Sequence, residues 1–222
     1  MSIANRLREV TDSLPQGVRL VAVSKFHPAE YVKEAYDAGQ RVFGESREQE
    51  LSRKVEELPK DIEWHFIGHL QTNKVKYIAP YISMIDAVDS LKLLREINKQ
   101  AAAHGRMIKV LLELHIAEEE TKYGLSLDAC RELLEGGEWR ALQNVQICGL
   151  MMMASHVDDE SVIRKEFMLA ADFFDEVKAR YFADDDAFCE RSWGMSHDYH
   201  IAAECRSTMV RVGTYIFGER NY

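Results

Sequence analysis

The sequence has few cysteines and no arrangement of them that would build a disulfide or zinc scaffold. Its four cysteines lie far apart along the chain, and no two form a Cys-x-x-Cys pair. We therefore expect reduced thiols in a cytoplasmic protein. The histidines form no recognised metal-binding spacing such as His-Glu-x-x-His, so no metal is predicted.

Long apolar runs and net positive charge are also missing. No hydrophobic stretch approaches the roughly 20 residues that span a bilayer. Polar and charged residues interrupt the N-terminal residues 1–16, which therefore lack the apolar core of a signal peptide. The formal net charge is -9, and a surface of that sign repels phosphodiester backbones. We therefore expect binding to neither nucleic acid nor membrane, although a local basic pocket for one small phosphate remains compatible with the composition.

What the chain does have is an alternation of short apolar runs with longer amphipathic stretches. The apolar runs predict strands at residues 18–24, 41–43, 64–67, 83–88, 107–115, 145–151, 191–194 and 208–213. The amphipathic stretches predict helices at residues 29–38, 46–58, 72–78, 90–104, 127–134, 158–181 and 198–205. Along the longest helix, the predicted buried stripe comprises Val162, Phe167, Leu169, Phe173, Phe174 and Val177.

This succession of strand-then-helix units favours a parallel α/β architecture and, by the number of units, a closed barrel. We expect residues 1–222 to form one domain, a single (β/α)8 TIM barrel, with an open doubly wound sheet as the main alternative. No Gly-, Ser- or Pro-rich linker divides the chain, so no second domain is expected. A monomer is the default expectation for a closed barrel.

Lys25 is the first candidate for chemistry, because function in such barrels lies at the carboxyl ends of the strands. It follows the apolar run 20–24, so its stem leaves a buried strand. A partly desolvated lysine has a depressed pKa, and its neutral amine is the nucleophile that forms Schiff bases. From position alone, a strand-end lysine whose amine reaches solvent is the more common arrangement.

Hydroxyls and glycines in the last part of the chain suggest a phosphate site. They are Ser207, Thr208, Gly213 and Gly218. Barrels often bind phosphate near their last two strands, where backbone N–H groups approach an anion closely. Ser196 precedes a predicted helix whose N-terminus favours an anion. Ordinary turn chemistry explains each segment separately, but their expected convergence favours a phosphate.

Arg211 lies inside the final apolar strand, and a buried arginine needs a partner. That partner is either a core carboxylate or the ring nitrogen of a bound ligand. In the second case the arginine would disfavour protonation of a pyridine nitrogen and weaken the ring as an electron sink. Met151 is expected in the core or in the lining of a pocket.

Several segments, in order along nearly the whole chain, match one known family. They are residues 21–25 (VAVSK), 43–45 (FGE), 64–74 (WHFIGHLQTNK), 122–124 (KYG), 149–151 (GLM), 194–196 (GMS), 207–213 (STMVRVG) and 216–218 (IFG). On these segments the chain resembles the pyridoxal phosphate homeostasis proteins, which bind pyridoxal 5'-phosphate (PLP). The resemblance implies a barrel similar to the N-terminal domain of alanine racemase.

The resemblance also implies a cofactor site and a role. The implied cofactor-binding residues are Lys25, Ser46, Met151, Ser196, Ser207, Thr208, Arg211, Gly213 and Gly218. Lys25 would carry PLP as a Schiff base, Arg211 would lie near the pyridine nitrogen, and the hydroxyls and glycines would bind the phosphate. The family regulates PLP supply without established turnover, so transient contact with apo PLP-dependent enzymes is the expected protein partnership.

Four residues depart from the family pattern. Ser46 and His115 stand where asparagine is usual, Trp193 replaces a smaller methionine, and Arg206 stands where glycine precedes the Ser-Thr pair. A serine with a water molecule can replace the asparagine contact. Arg206 would strain the backbone if its φ is positive, or would add charge near the phosphate. Trp193 would narrow the pocket.

Two other functions stay open at this point. The first is a PLP enzyme such as an amino-acid racemase, with Tyr123, Tyr199 or Tyr215 as a second base. The second is a barrel that binds a phosphate ligand other than PLP. Lys74 and Lys122 are candidates for a second lysine that controls PLP release.

Overall fold

Parallel strands close into a barrel in the computed structural model, which describes residues 1–116 and 123–219. The strands are β1 (Arg19–Val23), β2 (Val42–Glu45), β3 (Glu63–Phe66), β4 (Met84–Val88), β5 (Ile108–Leu114), β6 (Val145–Met152), β7 (Glu190–Ser192) and β8 (Met209–Val212). They follow one another in chain order, and β8 pairs with β1 to complete the closure. The predicted (β/α)8 TIM barrel is confirmed, and the open-sheet alternative is wrong.

Helices lie between the strands and cover the outside of the barrel. They are α1 (Ile3–Ser13), α2 (Ala29–Asp37), α3 (Glu48–Glu57), α4 (Val75–Ile78), α5 (Leu91–Ala103), α6 (Leu127–Glu135), α7 (Glu160–Tyr181), α8 (Tyr199–Glu204) and α9 (Thr214–Phe217). Ser2, Ser90 and Ser126 cap α1, α5 and α6, because each side chain accepts a hydrogen bond from a backbone N–H of the first turn. No described helix is long and apolar enough to cross a membrane.

The apolar core has two layers. The larger layer packs the outer faces of the strands against the helices. The smaller layer fills the barrel interior and comprises Val21, Met84, Ala87, Leu111, Cys148, Met151 and Met209. Side chains alternate along a strand, so residues two positions further along β5 and β8 also face the barrel axis. This alternation places Glu113 and Arg211 above the interior apolar layer, toward the end where the strands finish, which we call the mouth.

The helix α1 is missing from the sequence prediction, because charged residues interrupt the apolar pattern of its segment. Its buried residues are Ile3, Leu7 and Val10. They recur at helical spacing and form a narrow stripe along one side of the helix. Three buried apolar positions in eleven residues are a weak signal, and packing against the rest of the molecule stabilises this helix more than its own pattern does.

Two residues of the predicted stripe on α7 are not buried, which corrects that part of the prediction. Val162 is 39% exposed and Leu169 is 46% exposed. Ile163 and Ala170 face the core in their place. One residue along a helix turns the side chain by about 100°, so a helix whose apolar residues lie on several sides does not reveal from sequence which side is buried.

Candidate ligand-binding site

The mouth of the barrel brings Lys25, Ser46 and Gly213 close together. Val23 of β1 lies beside Gly44 of β2, and Lys25 and Ser46 each follow two residues later along their own segments. On the other side, a Cβ atom at Gly213 would lie 2.9 Å from the carbonyl oxygen of Val23. Two residues of extended chain span about 7 Å. The half-buried Lys25 side chain is therefore within reach of a ligand held at Gly213.

The loops that follow β7 and β8 meet at a set of hydrogen-bond donors. The N–H of Gly213 donates a 3.1 Å hydrogen bond to Oγ of Ser196. Because this oxygen accepts, the hydroxyl proton of Ser196 remains able to bind an anion. Helix α9 begins directly after Gly213, and the N–H groups of Thr214 and Tyr215 have no acceptor within their own helix. Ser196, Gly213, Thr214 and Tyr215 form what we call the oxyanion corner.

The hydroxyl of Thr214 was not singled out in the sequence. It is exposed at the start of α9, immediately after Gly213. A Gly-Thr pair that follows an apolar strand and opens a helix is a signal for anion binding.

Arg211 is buried inside the barrel with 4% exposure. Its Nη1 donates to the carbonyl oxygen and to the hydroxyl of Ser192, at 2.6 and 2.7 Å. Its Nη2 donates to the carbonyl oxygen of Met152 at 2.9 Å. Burial lowers the pKa of Arg211, while three carboxyl groups nearby oppose this shift. Within the described ranges, carbonyl and hydroxyl oxygens of β6 and β7 are the direct partners that fix the guanidinium.

A chain of polar side chains continues below Arg211. The hydroxyl of Ser192 lies 3.5 Å from Oδ2 of the buried Asp86, a long hydrogen bond. Oδ1 of Asp86 lies 3.0 Å from Nδ1 of His65. The distance between Oδ1 of Asp86 and Nδ1 of His65 is that of an ion pair, but the two atoms do not form a hydrogen bond. We therefore interpret their contact as electrostatic. Residues 1–116 and 123–219 contain no group of three or more metal-binding side chains arranged around a common point.

Glu113 is a second buried carboxyl near the mouth. It lies beside Met151 in the register of β5 and β6 and is 3% exposed. Oε2 of Glu113 has no hydrogen-bond partner among the described residues. Burial raises the pKa of Glu113 to about 7, Asp89 adds to the increase, and Arg211 opposes it. The carboxyl group therefore changes protonation state near neutral pH. His115 follows two residues later on the same side and is half-buried.

Ser207 and Thr208 lie at the opposite end of the barrel from the oxyanion corner. β8 begins at Met209, so both residues precede the strand, whereas Gly213 follows it. Oγ1 of Thr208 accepts from the N–H of Arg191 at 2.8 Å, and Oγ of Ser207 contacts backbone carbonyls. Five residues of strand separate Thr208 from Gly213 by about 16 Å. The structure does not bring these two residues together with Gly213, which corrects the predicted grouping.

Three other predicted residues occupy different parts of the site. Met151 is 1% exposed and belongs to the apolar layer that forms the floor of the mouth. Ser46 is half-buried under the loop that follows β3. Gly68 of this loop approaches it closely, because a Cβ atom at Gly68 would lie 2.8 Å from the Cβ atom of Ser46. Gly218 ends α9 with a φ of 93°. It lies about 7 Å from Gly213 along the helix, at the end of α9 that is remote from the oxyanion corner.

Trp193 and Arg206 both point away from the mouth, which corrects two expectations. Trp193 is fully buried in the outer layer, where Nε1 donates to the carbonyl oxygen of Cys205 at 3.2 Å. It therefore does not narrow the pocket. Arg206 has a positive φ of 64°, but its guanidinium binds Asp172 and Asp175 of α7 at 2.6 Å. Its charge is directed to the helix layer and not to a phosphate at the mouth.

The candidates for a second lysine that controls PLP release are Lys74 and Lys122. Nζ of Lys74 lies 2.6 Å from Oε1 of Glu48 at the start of α3. The hydrogen bond to Glu48 raises the pKa of Lys74. A protonated ammonium group is not nucleophilic, so this contact opposes Schiff-base formation by Lys74. Lys122 lies outside the described residues.

The candidate tyrosine bases are mostly turned away from the barrel axis. The hydroxyl of Tyr199 lies 3.3 Å from a serine hydroxyl of α1, and the hydroxyl of Tyr215 donates to a glutamate of α1 at 3.0 Å. The glutamate raises the pKa of Tyr215, which disfavours the phenolate form. Tyr123 stacks on His69 with 3.8 Å between ring centroids.

The sequence did not predict that residues of α3 hold the turn that contains Lys25. Phe26 has a φ of 67°, and its N–H donates to Glu50 of α3. Glu50 and Lys54 are four residues apart on a predicted helix, a spacing typical of ion pairs. That spacing was an available signal, but it is common on solvated helix faces and does not by itself indicate a buried pair.

Known proteins resemble the chain over nearly its full length. The family of the alanine racemase N-terminal domain matches residues 1–221. A protein of Aquifex aeolicus named pyridoxal phosphate homeostasis protein is 37% identical over 224 residues, which cover 99% of this chain and 96% of the relative. PipY of Synechococcus elongatus, solved without PLP, is 36% identical with a TM-score of 0.91. PipY with PLP bound gives a TM-score of 0.88, and both structures cover 98% of this chain and 100% of PipY.

Proposed function

The chain belongs to the alanine racemase N-terminal domain family and, within it, to the pyridoxal phosphate homeostasis proteins, and we propose that it binds PLP at the barrel mouth and acts in PLP homeostasis. The name of the Aquifex aeolicus relative and the PLP-bound structure of PipY support this proposal. In this chain, the observation that carries it is the placement of Lys25, the oxyanion corner and Arg211 toward the carboxyl ends of the neighbouring strands β1, β7 and β8.

Lys25 is the proposed attachment point. PLP supplies an aldehyde that an amine can capture. Nζ of Lys25 in its neutral form adds to the aldehyde carbon, and the aldehyde oxygen leaves as water, so that a Schiff base remains. The position of the half-buried Lys25 directly after β1 supports this role, because it places the amine at the mouth of the barrel.

The oxyanion corner is the proposed phosphate site. The hydroxyl of Ser196 and the free N–H groups at the start of α9 are donors that suit a phosphate dianion. Ser46 follows β2, the strand that pairs with β1, while Met151 lies in the floor and Gly218 ends the same helix that begins at the corner. Ser207 and Thr208 lie outside the proposed site, because they are at the other end of β8.

Arg211 is proposed to keep the cofactor ring unreactive. Three protein oxygens fix its guanidinium, which remains charged. A cation that faces a pyridine nitrogen disfavours protonation of that nitrogen, so the ring withdraws electrons weakly. The engagement of Tyr199 and Tyr215 with α1 also supports a binding role without turnover.

The proposed setting is a cytoplasmic monomer that exchanges PLP with apo PLP-dependent enzymes. Free thiols at Cys130, Cys148, Cys189 and Cys205 support a reducing compartment. Reversible Schiff-base formation supports exchange, because hydrolysis of the imine returns the lysine and free PLP.

Replacement of Lys25 tests the attachment. We expect Lys25→Ala to abolish the visible absorbance of the imine and to lower the affinity for PLP by at least about tenfold, or about 1.4 kcal/mol. Residual binding through the oxyanion corner should remain. Lys74→Ala is the matched control, since it removes another amine near the mouth, and it should keep the imine. Absorbance titration and equilibrium dialysis measure the two quantities.

The same variants distinguish binding from turnover. Wild-type protein loaded with PLP is expected to show no sustained amino-acid racemisation. Racemisation over many turnovers that disappears in Lys25→Ala would favour the enzyme alternative. Equal PLP affinity and an unchanged spectrum in Lys25→Ala would rule out Lys25 as the attachment site.

A further inference from the structure

The residue that follows Lys25 has an unfavourable backbone conformation. Phe26 has a φ of 67°, in the left-handed region that residues with a Cβ atom avoid. Such a conformation persists only where the surrounding structure imposes it, and it is concentrated at functional sites. At this position the turn sets the direction in which the Lys25 stem leaves β1.

Side chains of α3 bind the backbone on both sides of Lys25. Oε1 of Glu50 accepts a hydrogen bond from the N–H of Phe26 at 2.7 Å. Nζ of Lys54 donates to the carbonyl oxygen of Ser24 at 2.8 Å. Both bonds involve a charged group, which makes them stronger than neutral hydrogen bonds. The two peptide groups that flank Lys25 are therefore tied to the same helix.

A third side chain, the buried carboxyl of Glu45, completes this arrangement inside the protein. Nζ of Lys54 contacts Oε1 of Glu45 at 2.7 Å and Oε1 of Glu50 at 2.8 Å. The hydroxyl of Ser24 also donates to Glu45, at 2.6 Å. The Lys54 and Glu45 side chains are 5% and 0% exposed, and removal of one partner from a buried ion pair is strongly unfavourable. We call Glu45, Glu50 and Lys54 the Lys54 clamp.

We propose that the Lys54 clamp positions the amine of Lys25 for bonding to the aldehyde of PLP. The clamp residues are positioning residues, because they lie between β1, β2 and α3 and act through the backbone around Lys25. Their bonds oppose the tendency of Phe26 to return to a negative φ, a change that would swing the Lys25 stem away from its present direction. This inference rests on the proposed PLP function and adds the part of the protein that fixes the lysine.

The affinities for two ligands distinguish a positioning role of the Lys54 clamp from a general effect on folding. PLP reports the imine, whereas pyridoxine 5'-phosphate has the same ring and phosphate with an alcohol in place of the aldehyde. We expect Glu50→Ala to lower the PLP affinity about tenfold, equivalent to about 1.4 kcal/mol, and to leave the affinity for the alcohol unchanged. Glu50→Gln, which retains an acceptor oxygen, should restore part of the loss. Glu57→Ala, an exposed glutamate of the same helix, is the matched control.

The substitution Phe26→Gly gives the second readout, because glycine adopts a positive φ without strain. In a Phe26→Gly background, we expect the loss caused by Glu50→Ala to be smaller than in the native background, as measured by a double-mutant cycle. If Glu50→Ala does not fold, the same cycle is measured with Glu50→Gln.

The outcomes are distinguishable. Equal loss of both ligands in Glu50→Ala, unchanged imine formation, or additive effects of the two substitutions would each overturn the positioning role. Absence of the imine in wild-type protein would instead overturn the proposed PLP function itself.

Discussion

The position of each residue along β8 explains why Arg211 and Gly213 both lie toward the mouth, whereas Thr208 does not. Met209 faces the barrel interior, so Arg211 and Gly213 face the same side at successive levels toward the mouth. Thr208 precedes the strand and lies below the apolar floor. The sequence motif around Arg211 indicated the right strand. It did not reveal which end of the strand each hydroxyl reaches, because that depends on where the strand begins.

The buried carboxyl of Glu113 predicts a pH dependence of stability. Its pKa rises from 4.5 to about 7 in the folded protein, so between these values the native state retains a proton that the unfolded chain has released. Stability therefore falls as the pH rises through this window. Glu113→Gln has no such proton. Its free energy of unfolding should decline less steeply, by up to about 1.4 kcal/mol per pH unit.

Urea unfolding of both proteins at several pH values within the window measures this difference. Glu57→Gln is the control, because that glutamate is exposed on α3. Parallel stability curves for wild-type protein and Glu113→Gln would contradict the assignment of a raised pKa to Glu113.

At the scale of elements, the sequence predicted every strand of the barrel within a few residues of its observed bounds. Apolar runs of three to nine residues with turn residues on both sides are useful signals, and the longest, at 107–115, corresponds to Ile108–Leu114 in the structure. The helix α1 and the buried side of α7 were not predicted correctly. Both depend on which side of a helix meets the barrel, and contacts between elements decide that side.

The helix α1 is expected to support the oxyanion corner through α9. Nε of Arg6 donates to the carbonyl oxygen of Ile216 at 2.6 Å, and Leu7 is 4% exposed. Leu7→Ala should lower the free energy of unfolding by about 2–5 kcal/mol, because it leaves a cavity in the packed layer. Arg8→Ala, at an exposed position of the same helix, should change it by less than about 0.5 kcal/mol. Urea denaturation measures both, and equal effects would contradict the packing role of α1.

At the scale of the whole molecule, closure of the barrel creates the site. Lys25 and Gly213 are separated by most of the chain, yet β1 pairs with β8 and brings Gly213 beside Val23, two residues before Lys25. The number of strand–helix units was enough to predict this closure. The register between the first and last strands was not predictable, because it depends on the stagger of all the strands around the barrel. The net charge of -9 also gives no indication of the local charge at the mouth, where Arg211, Lys25 and backbone N–H donors lie.

The attachment of PLP to Lys25 is tested most directly by borohydride reduction of wild-type protein incubated with PLP, followed by peptide mass spectrometry. Reduction converts an imine into a stable amine, so the cofactor stays on the residue that held it. We predict one principal adduct, on the peptide that contains Lys25, and its absence from Lys25→Ala. An adduct centred on another lysine, or bound PLP with no adduct at all, would contradict the account.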